Sequence, residues 1–217
     1  MRIIKNKLYI MRKLVLSLVT MLSLGANAQS VNVKGGLNLA SVSNTKAGVA
    51  VRGYLGASYE VPINEKWSFQ PELLINLKGF GSYTESVYAE RPVLRVNHGL
   101  GMVQTRYEKY LTTNNVPSYT MFYISLPLMM KYKIVEKFNV EAGLEPSILL
   151  NKNTGYEKTF DLGVAFGAGY QINEKLGVGV RYTLGITNTV DYKDMPWMNE
   201  ESHKNRNFQI GVTYKLK

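Results

Sequence analysis

The 217-residue chain contains no cysteine and only two histidines, His98 and His203. The first absence removes disulfides, thiolate metal sites and a lipid-modified cysteine anchor together. It suits passage through an oxidising compartment without oxidative folding. A metal or hydrolase site would need both histidines to meet near acids such as Glu200 or Glu201. Lone loop histidines are far more often solvated. No nucleophile–base spacing, glycine-rich phosphate loop or metal-ligand cluster occurs, and Gly177-x-Gly179 sits inside a strand-like alternation. No catalytic, cofactor-binding or metal-binding residue is therefore expected. Beyond residue 28 there is no apolar run of 18 residues, so no transmembrane helix is expected, and helical periodicity is missing as well.

What is present begins with a leader. Arg2, Lys5, Lys7, Arg12 and Lys13 precede an apolar run from Leu14 to Leu24, and Ala26-Asn27-Ala28 follows as a small-x-small site. This order is that of a cleaved, helical signal peptide over residues 1–28, with cleavage between Ala28 and Gln29. A retained anchor would need about 20 apolar residues, more than the run supplies. Met11, followed at once by Arg12-Lys13, offers a second translation start. The formal charge of +10 is partly the leader's. Removing its five cations leaves 21 basic and 16 acidic residues, a net +5 scattered along the chain, so nucleic-acid binding is not expected.

The mature part, residues 29–217, alternates with period two. Phe160, Leu162, Val164, Phe166, Ala168 and Tyr170 oppose Asp161, Gly163, Ala165, Gly167, Gly169 and Gln171. Segments starting at Trp67, Phe122, Phe138, Leu176 and Phe208 repeat the pattern, and two further strands are expected near 30–40 and 47–60. The expected total is eight. Connections at 62–66, 135–137 and 173–175 are tight, and two of them repeat Asn-Glu-Lys; those at 41–46, 80–119, 151–157 and 187–205 are long. Short turns at one end and long loops at the other are the habit of outer-membrane barrels, with the short turns and both termini periplasmic. A 12-residue strand rises roughly 40 Å, and at a tilt of about 45° it spans about 28 Å, close to the apolar band of such barrels. The fold expected is all-β: an eight-stranded antiparallel up-and-down transmembrane β-barrel.

A soluble barrel would bury the apolar face instead. Two features argue against that. Tyr59, Trp67, Tyr132, Phe138, Tyr170 and Tyr214 lie on the apolar face where strands meet short turns, as an interfacial aromatic girdle would. The opposite face is rich in Gly, a poor solvent surface but a good lining for a narrow barrel whose interior is filled by side chains. Glycines on the last three strands leave room for Arg52, Tyr54, Glu72, Lys131, Glu141, Glu145 and Arg181 to reach across. Buried charges must pair. A lumenal network of Arg52, Glu72, Lys131, Glu141, Glu145 and Arg181 is thus expected to plug the barrel, against the alternative of a transport path.

Several segments resemble the PorT-like outer-membrane β-barrel family of Bacteroidota. Gln70-Pro71-Glu72-Leu73-Leu74-Ile75-Asn76-Leu77-Lys78-Gly79 is similar to one of its strands, and Ser125–Lys133 to another. Val33–Leu39 resembles its opening strand, Glu141-Ala142-Gly143, Gly167–Tyr170 and Arg181-Tyr182 its later strands, and Asn205–Gly211 its closing one. The resemblance runs in order through nearly all of the mature chain. It departs at the end, Tyr214-Lys215-Leu216-Lys217, which lacks the terminal aromatic read by the barrel-assembly machinery, and in the size of the 80–119 loop. It implies fold and location, with no catalytic motif; some relatives serve secretion or gliding machinery.

The expected location is the outer membrane, reached by Sec export through the periplasm. The expected partners are outer-membrane lipid, the assembly machinery during biogenesis, and an envelope protein or extracellular ligand. Loop 80–119 carries Tyr83, Tyr88, Tyr107 and Tyr110 with Arg91, Arg95, Arg106 and Lys109; loop 187–205 carries Tyr192, Met195, Trp197 and Met198. Such aromatics suit recognition of a partner, or else cap the barrel mouth. The leading expectation is a non-enzymatic barrel with a structural or binding role through these loops. A component of a secretion or envelope complex, a small pore and an outer-membrane enzyme are the alternatives.

Overall fold

The computed structural model describes residues 30–45, 47–97, 102–151, 158–189 and 202–216. The leader with Ala28 and Gln29 lies outside them, as do His98, Glu200, Glu201 and the aromatics and methionines of loop 187–205. Among the described residues eleven strands follow in chain order: β1 (Ser30–Val42), β2 (Ala50–Pro62), β3 (Trp67–Phe80), β4 (Tyr83–Asn97), β5 (Met102–Val116), β6 (Tyr119–Ser125), β7 (Leu128–Val135), β8 (Phe138–Leu149), β9 (Phe160–Gln171), β10 (Leu176–Gly185) and β11 (Asn205–Lys215).

β6 and β7 are one barrel strand. Ser125 faces Leu74 and Ser147, and Leu128 faces Pro71 and Leu144, so the register is unchanged across the break. The break is chemical. Pro127 has no N–H to give, yet its carbonyl accepts from Glu72 N at 2.8 Å, while Leu126 N donates to the Pro146 carbonyl at 2.8 Å. With that strand counted once, eight antiparallel strands close on themselves through the β1–β11 pair. The expected eight-stranded barrel is the fold observed.

Short turns join β2 to β3, β7 to β8 and β9 to β10. The repeated Asn-Glu-Lys acts the same way in two of them. Asn64 Oδ1 accepts from Lys66 N (3.0 Å) and Trp67 N (2.8 Å), and Asn173 Oδ1 from Lys175 N (2.9 Å) and Leu176 N (2.8 Å). A side-chain oxygen thereby replaces the backbone acceptor that a tight turn lacks.

The 80–119 connection departs from expectation. It is no irregular loop but a two-stranded ribbon, β4 with β5, paired from Tyr83–Val116 to Asn97–Met102. The offset of the β3–β6 pairing is kept throughout, so the ribbon prolongs the barrel hairpin as a blade of 15-residue strands. That corresponds to a length of about 50 Å. The joint lies at Gly79, whose φ of +128° and distance of only 2.1 Å from a built Cβ to the Tyr119 carbonyl demand glycine. The ribbon escaped sequence reading because both of its faces mix polar and apolar residues and because Pro92, in mid-strand, argues against a strand there.

Candidate functional site

Strand alternation sends one set of side chains into the lumen and the other outward. The outward set is apolar: Leu37, Leu55, Ile75, Phe166, Val180, Ile210 and their neighbours are all exposed. The inward set is polar and buried, with Asn38, Glu72, Asn76, Lys78, Glu145, Arg181 and Gln209 among it. Leu37 is 56 % exposed while Arg181 is 4 % exposed, the reverse of a water-soluble barrel. Only a surrounding hydrocarbon solvent makes such a surface favourable. The model of the outer membrane protein beta-barrel domain family matches residues 24–191. The chain belongs to that family.

Solved structures similar to this chain include Neisserial surface protein A, at 14% identity and TM-score 0.48, with 88% of this chain and 99% of that one covered. The attachment invasion locus protein Ail of Yersinia pestis matches at 12% identity and TM-score 0.40, covering 87% and 97%. OprG of Pseudomonas aeruginosa matches at 15% and 0.40, covering 88% and 98%. No curated protein matches the sequence. The protein is an outer-membrane β-barrel of the small, eight-stranded type, seated in the lipid bilayer.

Inside the barrel, Glu72 on β3 is the hub of one cluster. Arg181 on β10 grips it with two parallel bonds, Nη1 to Oε2 at 2.7 Å and Nη2 to Oε1 at 2.8 Å. Lys34 on β1 donates to Oε1 at 2.7 Å, and the Gln70 amide donates to the same oxygen. Arg181 Nε also donates to Glu141 Oε1 at 2.8 Å. A forked guanidinium suits this double duty. Gly167 makes room for it, since a Cβ there would lie 2.8 Å from Glu141 Oε1; Gly211 does the same for Tyr54, 2.0 Å from its hydroxyl.

A second cluster lies toward the long loops. Lys78 Nζ meets Glu145 Oε1 at 2.8 Å and Asp161 Oδ2 at 3.8 Å, and stands 5.1 Å from the centre of the Tyr123 ring. Thr183 donates to Glu145 (3.0 Å), and Thr187 and Asn205 to Asp161 (2.8 Å each). Asn76 links the clusters, donating to Glu145 at 3.3 Å while accepting from Asn38. Beyond, Val42, Met121, Tyr123 and Leu149 form a buried apolar cap, with Phe80 and Tyr119 packed on it.

Of the six charges expected in one network, Glu72, Glu141 and Arg181 meet directly, and Glu145 joins the second cluster. Lys131 is elsewhere: it pairs with Glu60 at 2.9 Å, nearer the short turns. Arg52 forms no ion pair among the described residues; its Nη1 donates to the Val51 carbonyl and its Nε is buried without a partner. Sequence reasoning missed Lys34, Lys78, Asp161 and Glu60 as members. Alternation held the signal, because Lys34 shares parity with Asn32 and Asn38, and Lys78 with Glu72 and Asn76.

The six aromatics expected to form a girdle lie on the outward face beside the short turns. Trp67 pairs with Tyr132, their rings 4.8 Å apart, and Phe138 pairs with Tyr170. Of the loop aromatics, Tyr83 meets the cap through Phe80 at 6.5 Å, whereas Tyr88, Tyr107 and Tyr110 stand exposed on the blade. His203 places Nδ1 3.3 Å from the Ser43 carbonyl. Among the described residues, no group of three or more His, Cys, Asp or Glu could hold a metal ion.

Proposed function

We propose that this is a non-enzymatic barrel whose role is to hold a recognition blade above the outer membrane. The observation that carries this reading is the β4–β5 ribbon. It leaves Tyr88, Leu94, Tyr107 and Leu111 on one face, each more than 60 % exposed. Within the described residues neither strand pairs with anything but the other, so each offers a free edge to an extended segment of a partner. Exposed aromatics on a paired ribbon suit a protein partner. In this reading the leader ends at Ala28, the short turns are periplasmic, the six aromatics form the inner girdle, and the packed lumen is structural rather than a path for solutes.

A second reading, a component of a secretion or envelope complex in a PorT-like branch of the family, is favoured by the ordered strand resemblance. One experiment separates them. A variant with 84–115 replaced by a short linker is expected to fold, with normal heat-modifiable migration, and to lose the proteins captured by crosslinking on intact cells. Recovery of the same partners by the shortened protein would reject the blade and favour the complex.

A further inference from the structure

The lumen is filled toward the long loops but opens at the short-turn end into a cavity of ≈ 690 Å³, within the roughly 300–1,000 Å³ typical of small-ligand sites. Its rim is basic in a particular way. Lys66 and Lys133 are cross-strand neighbours, joined by a 2.8 Å bond from Lys133 N to the Lys66 carbonyl. Lys175 and Lys215 are joined identically at 2.8 Å. Like charges directly opposite one another destabilise a sheet. Yet the pattern occurs twice, on β3/β7 and on β10/β11, which lie on opposite sides of the eight-stranded ring. All four lysines line the cavity, and none forms an ion pair among the described residues.

Among the described residues, the acids nearby do not form ion pairs with these four lysines, which outnumber the three unpaired carboxylates of the mouth. Glu60 and Glu141 border the cavity but are held by Lys131 and Arg181. Glu65, Glu136 and Glu174 line the mouth from the turns, yet none forms an ion pair with these lysines, and Lys66 shares the inward parity of Ser68 and Gln70. Deeper in, Gln209 lines the same cavity. It is 2 % exposed, and its Nε2 is a buried donor with no partner. A buried donor left unbonded is costly. Paired cations at the rim and a free N–H below them call for the same thing, a ligand with several anionic oxygens.

We propose that the short-turn mouth of the barrel binds a small organic polyanion, a molecule bearing two or more phosphate, sulfate or carboxylate groups. Its charges bridge the Lys66/Lys133 and Lys175/Lys215 pairs, and one oxygen accepts from Gln209. This site is independent of the blade and at the opposite end of the barrel.

The test is calorimetric titration of the full, detergent-folded protein with tripolyphosphate, at low and at physiological salt. The expected result is saturable 1:1 binding that weakens with salt. Changing all four rim lysines to Gln should weaken it about tenfold or more. Gln209→Ala should weaken it about threefold to tenfold. Lys204→Gln with Arg206→Gln, at the other end, should leave it unchanged. Should the fourfold variant fail to show heat-modifiable migration, Lys66→Gln/Lys133→Gln and Lys175→Gln/Lys215→Gln are used as separate pairs. Absence of saturable binding, or an equal loss in the Lys204/Arg206 control, overturns the site. So does tight binding of a hexaglutamate peptide that ignores Gln209→Ala when tripolyphosphate does not bind. That outcome assigns the rim to an acidic protein segment instead.

Discussion

The barrel and the blade are two stretches of one hairpin in one register, and their ion pairs differ in every respect that sets energy. Arg181 and Glu72 meet at 2.7 Å with side chains 5% and 0% exposed. Arg91 and Glu108 on the blade stand 3.8 Å apart, 64% and 52% exposed. The first pair sits in a medium of low effective dielectric with all its alternatives removed; the second competes with water and salt. Burial here does not make the pair a bonus. Two charges in a lumen repay their desolvation only when geometry and further hydrogen bonds are good. Glu72 has four donors on its two oxygens, which meets that condition.

The largest expected effect therefore comes from breaking that cluster one-sidedly. Arg181→Met leaves Glu141 without a cation and Glu72 with Lys34 and Gln70 alone, and should cost about 3–5 kcal/mol in urea unfolding from lipid vesicles. Adding Glu141→Gln should recover much of the loss, since the penalty is chiefly that of unpaired charge; Glu72 is kept because it still pairs with Lys34. A single-variant loss below about 1 kcal/mol would mean that water reaches the cluster freely. Lys78→Met should cost less, about 2–3 kcal/mol, because Asn76, Thr183, Thr187 and Asn205 still donate to its two acids. Equal losses at Arg181 and Lys78 would show that these neutral donors do not stabilise the carboxylates.

How far the sequence anticipated this depends on how local each signal is. The eight strands and the inward parity of Glu72, Glu141, Glu145 and Arg181 are written in the period-two pattern, residue by residue. Which acid meets which cation is not, since that depends on barrel closure. Arg181 reaches Glu72 over a separation of 109 residues. Lys131 went to Glu60 rather than into the main cluster for the same reason: barrel geometry set its level in the lumen. The blade was invisible for another cause. With water on both faces there is no solvent contrast to impose alternation, and only a constant pairing offset reveals it.

Packing gives the next effect in size. Gly211→Ala would put a Cβ 2.0 Å from the Tyr54 hydroxyl and 2.6 Å from the Gly35 carbonyl. The ring can swing away, but the backbone oxygen cannot, so a loss of about 1–3 kcal/mol is expected in the same unfolding assay. If removing the ring with Tyr54→Ala in the Gly211→Ala background fully restores stability, the clash is with the ring alone. Partial restoration is the result expected of a backbone contact.

The smallest effect tests the other half of the comparison. A double-mutant cycle on Arg91→Ala and Glu108→Ala should return a coupling of no more than about 1 kcal/mol, vanishing in high salt. Arg91 also lies 5.7 Å from the centre of the Tyr110 ring, a contact that salt screens less than an exposed ion pair. Arg91→Lys should therefore weaken the tyrosine contact more than the pair with Glu108, because a compact ammonium stacks poorly on a ring. The readout is local: hydrogen exchange of the 88–94 amides, which opens with the blade alone. A coupling as large as that of Arg181 would mean that the blade's charges are shielded from water, and the contrast between the two halves of the hairpin would fail.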